Sequence, residues 1–271
     1  MTESGKKWLI GCSVAAFLVV LVLAAIVWGG VVFFKKAAAE IEELEDSSRA
    51  VSQRFGDASE FTPDPGGAIP ASRIEAFLAA REIMAPTRDE LVSSLATLDG
   101  DEGGKFGAGV RLLPRSFGFY EARNKACLEA DIGLGEYGYL YILSYYKFLA
   151  KPVSAGPGFT LTGGSSGGGG PGTPTSDFEV REDRREHVLS SARNRVLPIL
   201  RNQLAALEAE DGPGDWAGRL AEEIALLEAD PFRLPWRDGL PDRIARSLEP
   251  YRERLEASWS ELANPLEAGP Q

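Results

Sequence analysis

Catalysis near neutral pH draws most often on histidine, and this chain of 271 residues holds one, His187. It follows the mixed-sign run Glu179, Arg181, Glu182, Asp183, Arg184, Arg185, Glu186, whose i, i+4 pairs read as a solvated helix face. Asp183 and His187 at i, i+4 give two metal ligands, whereas zinc needs three or four and no other His or Cys cluster accompanies them. Cys127 is the one thiol outside the apolar N-terminal run that contains Cys12, so a disulfide framework is excluded by count and placement. Its expected role is a small apolar residue in a helix core. The neighbours Glu222 and Glu223, and Asp99 with Asp101, have the composition of an acid and a base, yet 40 acidic residues produce such neighbours by number alone. Arg81 and Arg123, set among apolar helix positions, are candidates for buried or interface pairing, with no partner legible in sequence. Gly163-Gly164-Ser165-Ser166-Gly167 is no phosphate loop, because no Gly-Lys-Ser/Thr follows it. No catalytic residue, cofactor-binding residue or metal ligand is assigned, and no cofactor is expected.

The elements around these residues begin with Trp8 to Phe34, 27 residues without a charge, beyond the ~20 that cross a bilayer core. Lys6 and Lys7 close one end, Lys35 and Lys36 the other; Trp8, Trp28, Phe33 and Phe34 suit the interfacial zones. A cleaved signal peptide has a shorter apolar region of ~7–15 residues. Leu9-Ile10-Gly11-Cys12 has the form of a lipoprotein box, but the long apolar run follows that cysteine instead of preceding it. The expectation is a single-pass signal-anchor that contacts the lipid bilayer through 8–34, in a bacterial inner membrane, with the C-terminal domain outside the cytoplasm. The first 36 residues carry +3 and the remainder −14. So acidic a surface repels phosphate backbones and anionic headgroups, which excludes nucleic acid as ligand.

The rest reads as all-α: one N-terminal transmembrane helix, then a soluble helical bundle interrupted by a disordered Gly-rich segment. The divisions are a tail 1–7, the span 8–34, a juxtamembrane helical stalk 35–60, a first helical half 61–151, a flexible linker 152–176, a second helical half 177–264 and a disordered tail 265–271. Within the stalk, Ile41, Leu44 and Val51 stand at near-heptad spacing; a solvated stalk is expected, with a homodimer through Ala37 to Phe55 as the alternative. Ser72-x-x-Glu75 and Thr87-x-x-Glu90 fit the capping box and place two helix starts. Ile74, Phe77 and Leu78 mark the buried face of the first helix, and Leu91, Leu95 and Leu98 that of the second. A Gly-rich loop from Gly100 to Gly109 separates these from helices over 117–131 and 134–149. Tyr137, Tyr139 and Tyr141 alternate like a strand, but Tyr137, Leu140, Tyr141, Ser144, Tyr145 and Phe148 keep helical spacing for longer, so helix is expected.

Pro152 to Ser176 carries nine glycines, four prolines and no charge, a composition that forms no core. Beyond it, Leu189, Ala192, Val196, Ile199, Leu200, Gln203 and Leu207 line one side of a helix that Pro198 should kink. Trp216, Leu220, Ile224 and Leu227 line a second, and Ile244, Leu248, Tyr251, Leu255, Trp259 and Leu262 a third.

Ile74-x-x-Phe77-Leu78-x-x-Arg81, with Gly133-Leu134-Gly135-Glu136-Tyr137-x-Tyr139-Leu140 later, resembles uncharacterised bacterial single-pass membrane-anchored helical-domain proteins over about residues 70–150. The pattern departs at Gly135, where Ser or Thr would be usual, and the resemblance implies no function. The functional expectation is a membrane-anchored protein-interaction or scaffold module with a protein partner. Its contact surface would be Tyr137, Tyr141, Tyr145 and Phe148, or Trp216 and Trp259 on the C-terminal stripes. The alternatives are an envelope enzyme using acidic residues, which requires a pocket with carboxylates of raised pKa, and a self-assembling structural anchor.

Overall fold

Residues 42–98, 105–154, 184–210 and 214–268 are described by a computed structural model, and among them the regular structure is helical with no strand. Helix α1 covers 42–55, followed by a 3-10 turn at Ala58–Glu60, α2 (Ala71–Ile83), α3 (Ala85–Leu98), α4 (Lys105–Glu129) and α5 (Leu134–Tyr141), which runs on into a π-helical turn at Ile142–Phe148. Then come α6 (Arg184–Ala209), α7 (Gly214–Ala229), α8 (Asp242–Leu248), a second 3-10 turn at Glu249–Tyr251, α9 (Arg252–Ser258) and α10 (Asn264–Ala268). No helix among the described residues is long and apolar enough to cross a membrane. The span 8–34 lies outside them, as do Asp99, Asp101, Asp183 and 155–176 of the Gly-rich segment.

The apolar stripes bury as their periodicity requires. Ile74, Phe77 and Leu78 of α2 are each 1 % exposed, and Val196, Ile199 and Leu200 of α6 are fully covered; removing one such side chain from water is worth about 1.5–3 kcal/mol. α6 packs on α7, α3 and α2 on α4, and α5 on both α4 and α6. Because α5 is enclosed by neighbours, its residues bury all round: Gly135 through Tyr141 are buried without a polar face. This is why the tyrosines there show two periods at once, and the longer, helical one is the correct reading. The two helical halves share this core within one unit, Leu44–Gln271. α10 packs on α6 and α9 on α2, and Arg81 reaches Glu267 across the chain.

Several boundaries move. The outer part of the stalk is seated on the domain along one side, its other side staying exposed: Val51 and Ser47 are buried, Asn124 of α4 donates to the Ser47 hydroxyl, and Arg54 donates to the Leu128 carbonyl and pairs with Asp131. Neither proposed capping box forms at a helix start. α2 begins after Pro70, whose φ of −58° suits a helix entrance, and Ser72 and Thr87 lie inside their helices. The capping box that does form is Asp57-x-x-Glu60, which closes the first 3-10 turn. α4 extends back to Lys105, into the stretch read as a loop. The third C-terminal stripe is broken: Pro250 lies in a 3-10 turn between α8 and α9, and Trp259 is extended after α9. The tail read as disordered, 265–271, takes in most of α10, with Leu266 and Glu267 each 2 % exposed.

Candidate functional site

Helix α5 touches the first 3-10 turn, α2, α4 and α6, which makes it the positioning element. Gly135 lies against the 3-10 turn: a Cβ there would stand 2.1 Å from the Ala58 carbonyl oxygen, so the Ser or Thr of the resemblance pattern would push that turn away. Gly138 lies under the Arg195 side chain, 2.6 Å from where its own Cβ would be. Glu136 and Tyr139 face α2 and the 61–70 segment, while Tyr137 faces Arg81.

On one side of α5 is a sealed cluster. Arg81 Nη1 donates to Glu267 Oε2 at 2.5 Å and to the Tyr137 hydroxyl at 2.9 Å, and its Nη2 donates to the Ser258 carbonyl at 2.6 Å. Tyr137 in turn donates to Glu267 Oε2 at 2.7 Å. The guanidinium carbon stands 4.8 Å from the Tyr145 ring centre, 5.4 Å from Tyr141 and 5.8 Å from Phe77, within reach of the ring quadrupoles. Burial by itself would push the Arg81 pKa down, but the Glu267 carboxylate overrides it and holds the group well above its ordinary value. Burial drives the Tyr137 and Tyr141 phenols the other way, well up, so they remain donors.

The π-helical turn completes this cluster. In an α-helix two residues five apart point about 140° away from each other. The i→i+5 step brings Tyr141 and Tyr146 onto one target, and both donate to Asn264 Oδ1, at 2.9 and 2.8 Å. With Asn264 Nδ2 on the Val153 carbonyl, the cluster clamps α10, a helix of five residues that is too short to persist alone.

On the other side is an open cleft of about 300 Å³, lined by Phe61, Thr62, Pro63, Asp64, Ala68, Ile69, Pro70, Arg73, Glu136, Tyr139 and Leu140. Its one ion pair is Arg73 with Glu136; Arg73 Nε donates to Glu136 Oε1 at 2.7 Å and Nη2 to the Asp131 carbonyl at 2.9 Å. That carboxylate lifts the Arg73 pKa. Phe61 and Tyr139 form an aromatic wall, with centroids 6.0 Å apart and planes tilted by 54°. The wall is held from outside: Asn202 donates to the carbonyls of Ser59 and Phe61, Gln203 to that of Asp64, and the Gly67 backbone lies against Trp216. A second hollow of about 370 Å³ lies along α6 and includes His187, Ser190, Ser191, Asn194 and Arg195, with Asp57 and Ser59 opposite.

Of the six residues read as a partner surface, four are interior and offer no surface in this fold: Tyr137, Tyr141, Tyr145 and Trp216 are 0–1 % exposed. Aromatic side chains at helical spacing here mark core. Phe148 and Trp259 are partly buried, Phe148 under Arg252 and Trp259 against Tyr145. Trp216 stacks on Trp236 at 5.8 Å. Arg81 finds its partner in Glu267, which no local spacing could have named. Arg123 is 4 % exposed and lies over Tyr120, with Nε and Nη1 unpaired. Glu223 is buried and structural: it accepts from the Trp236 backbone N–H and pairs with Arg233. The Cys127 thiol is fully covered and burial pushes it up to about 12, the state of a packing residue. No group of three or more His, Cys, Asp or Glu among the described residues is placed to hold a metal ion. Reasoning from sequence missed Arg73, Glu136, Tyr139 and Phe61; Pro63, Pro65 and Pro70 around the last were the visible sign of a rigid wall. No family model, no curated protein and no solved structure matches this chain.

Proposed function

We propose that this chain is a membrane-tethered helical module that binds a protein partner through the cleft between the 61–70 segment and α5. The observation that carries the reading is the chemistry of that cleft: rigid apolar walls, one internally neutralised ion pair and backing from α6 and α7. Its volume is at the lower end of the ~300–1,000 Å³ typical of recognition pockets, the size of a few side chains of a larger ligand. Tethering rests on the uncharged run Trp8 to Phe34 with its flanking lysines. Binding is favoured over acid-base chemistry because the carboxylates whose pKa moves go down: Ser59 holds Asp57 low, Arg233 holds Asp238 low, and Arg252 holds Glu249 low. A general acid needs the opposite shift.

The test places a photo-cross-linking residue at Ile69 of the full chain in its host membranes, with a control at Leu226 on the exposed face of α7. A discrete adduct from position 69, absent from 226 and lost on Phe61→Ala, is the expected result. Equal labelling from both positions, or none, would contradict the reading.

A further inference from the structure

Arg123 is a buried charge that the fold leaves unanswered. It is 4 % exposed and rests over the Tyr120 ring at 5.0 Å, and its Nε and Nη1 have no acceptor. A buried guanidinium without acceptors is costly, and such a group calls for an ion, a water or a ligand to complete it. A second arginine stands close by. Arg195 of α6 lies along Gly138 of α5, where a Cβ would be 2.6 Å from its Cδ and 3.0 Å from its Nη1, so glycine is what leaves room for that side chain. Burial first, and then the positive charge of Arg123, pushes Arg195 down to about 10. Two cations are thus crowded together where α4, α5 and α6 meet. Arg195 also lines the hollow of about 370 Å³ along α6, with Ser190, Ser191 and Asn194 on the same face of that helix. We infer that this hollow binds the phosphoryl group of a small phosphomonoester, with Arg195 and the Ser190 and Ser191 hydroxyls on its terminal oxygens and Arg123 supplying the second positive charge.

Each part of that ligand follows from a feature of the hollow. The sign comes from Arg123, whose unpaired N–H groups demand an acceptor and whose charge demands an anion. The number of donors favours phosphate over carboxylate. A guanidinium carries five N–H donors, so Arg195 can serve more than one acceptor. The Asn194 Oδ1 accepts from Arg193, which leaves the Asn194 amide N–H groups as donors. A phosphomonoester brings close to two negative charges and three strong acceptor oxygens, whereas a carboxylate brings one charge and two oxygens. Among the described residues the one carboxylate in the lining is Asp57, and it is engaged by its own turn: its Oδ1 accepts from the Ser59 N–H and hydroxyl. The chain's overall charge of −11 does not reverse the local sign, because exposed acids more than about 8 Å away are largely screened at physiological ionic strength. The hollow lies at the small end of the ~300–1,000 Å³ of ligand pockets, so the organic remainder of the ligand is small.

The experiment titrates the full chain, in nanodiscs of phosphatidylcholine, with glycerol 3-phosphate, inorganic phosphate and, as the uncharged control, glycerol, and reads binding by calorimetry. Glycerol 3-phosphate and phosphate are expected to bind and glycerol is not. Joint replacement Ser190→Ala and Ser191→Ala, at half-buried helix positions where alanine is a good helix former, should weaken glycerol 3-phosphate by at least about 10-fold, the worth of a hydrogen bond to a charged group. Arg123→Met should weaken it comparably while raising the melting temperature without ligand, because the unanswered buried charge is gone. An arginine with a purely structural role would lower that temperature and leave affinity unchanged. Nanodiscs containing phosphatidic acid separate the two sources of a phosphomonoester: glycerol 3-phosphate displaced there assigns the site to a lipid headgroup, and unchanged binding assigns it to a soluble molecule. No binding of glycerol 3-phosphate or phosphate in either nanodisc, or equal affinity for the parent and the double-serine variant, overturns the inference. The cleft beside α5 is untouched by these variants, so an adduct at Ile69 is decided separately.

Discussion

Arg81 and Glu267 lie 186 residues apart in the chain, yet their side chains meet at 2.5 Å with 0 % and 1 % of their surface exposed. That contact joins α2 to the last helix, so the two halves of the domain close on each other through a charge pair inside an aromatic cage.

Breaking one side of the pair leaves a buried charge. Glu267→Gln should cost about 3–5 kcal/mol, lowering the melting temperature by roughly 2–4 °C per kcal/mol in a domain of this size. Arg81→Met with Glu267→Leu should recover most of the loss, because a buried pair replaced by apolar residues of similar volume is near neutral. Calorimetry on the double variant, Arg81→Met alone and Glu267→Leu alone closes the cycle.

Gly67 and Gly218 should respond in opposite directions to alanine. Gly67 has φ +78°, and a Cβ there would stand 2.5 Å from the Trp216 ring; left-handed strain of about 1–2 kcal/mol adds to overpacking of about 1–3 kcal/mol. Gly218 is helical with nothing within 4 Å, so Gly218→Ala should gain about 0.5–1 kcal/mol. Denaturant titration of both reads the signs.

Cys127 should resist alkylation in the folded chain and react once the chain is unfolded. Its folded pKa of about 12 stands above the ordinary 9.0, so the folded state holds its proton more tightly. Its contribution to stability is therefore present below about pH 9 and is lost as pH rises toward 12, and the buried tyrosines push the same way. Melting temperature against pH from 8 to 11 should fall; a rise would contradict this placement.

Glu223→Ala should loosen the loop after α7. It removes the acceptor of the Trp236 N–H, a residue held at φ +57°, and one of the two carboxylates on buried Arg233. A cost of about 1–3 kcal/mol should appear as faster tryptic cleavage at exposed Arg237, with α6 fragments unchanged.

The C-terminal helices were legible in the sequence because their stripes are periodic over about three turns or more; α6 and α7 bury the residues that the pattern marks. What failed has a common cause. The capping boxes at Ser72 and Thr87 match a local rule, but Pro70 and the near-continuous passage through Met84 set the helix starts instead. Tyr137 and Trp216 looked like contact surface because a single sequence cannot distinguish an aromatic stripe that meets solvent from one that meets a second helix. Glu267 sat in a seven-residue tail of unremarkable composition, and its role depends on a partner 186 residues away. Tyr139 is the same case: its place on the cleft wall depends on Phe61, which comes from a distant stretch of the chain.

The most direct measurement of the central claim is hydrogen–deuterium exchange of the full chain in its host membranes against the same chain purified in detergent. If the cleft holds a partner, amides over 58–70 and 134–141 should exchange more slowly in the membranes, while α7 exchanges alike in both. Equal rates over 58–70 in the two samples, or new protection confined to α7, would contradict it.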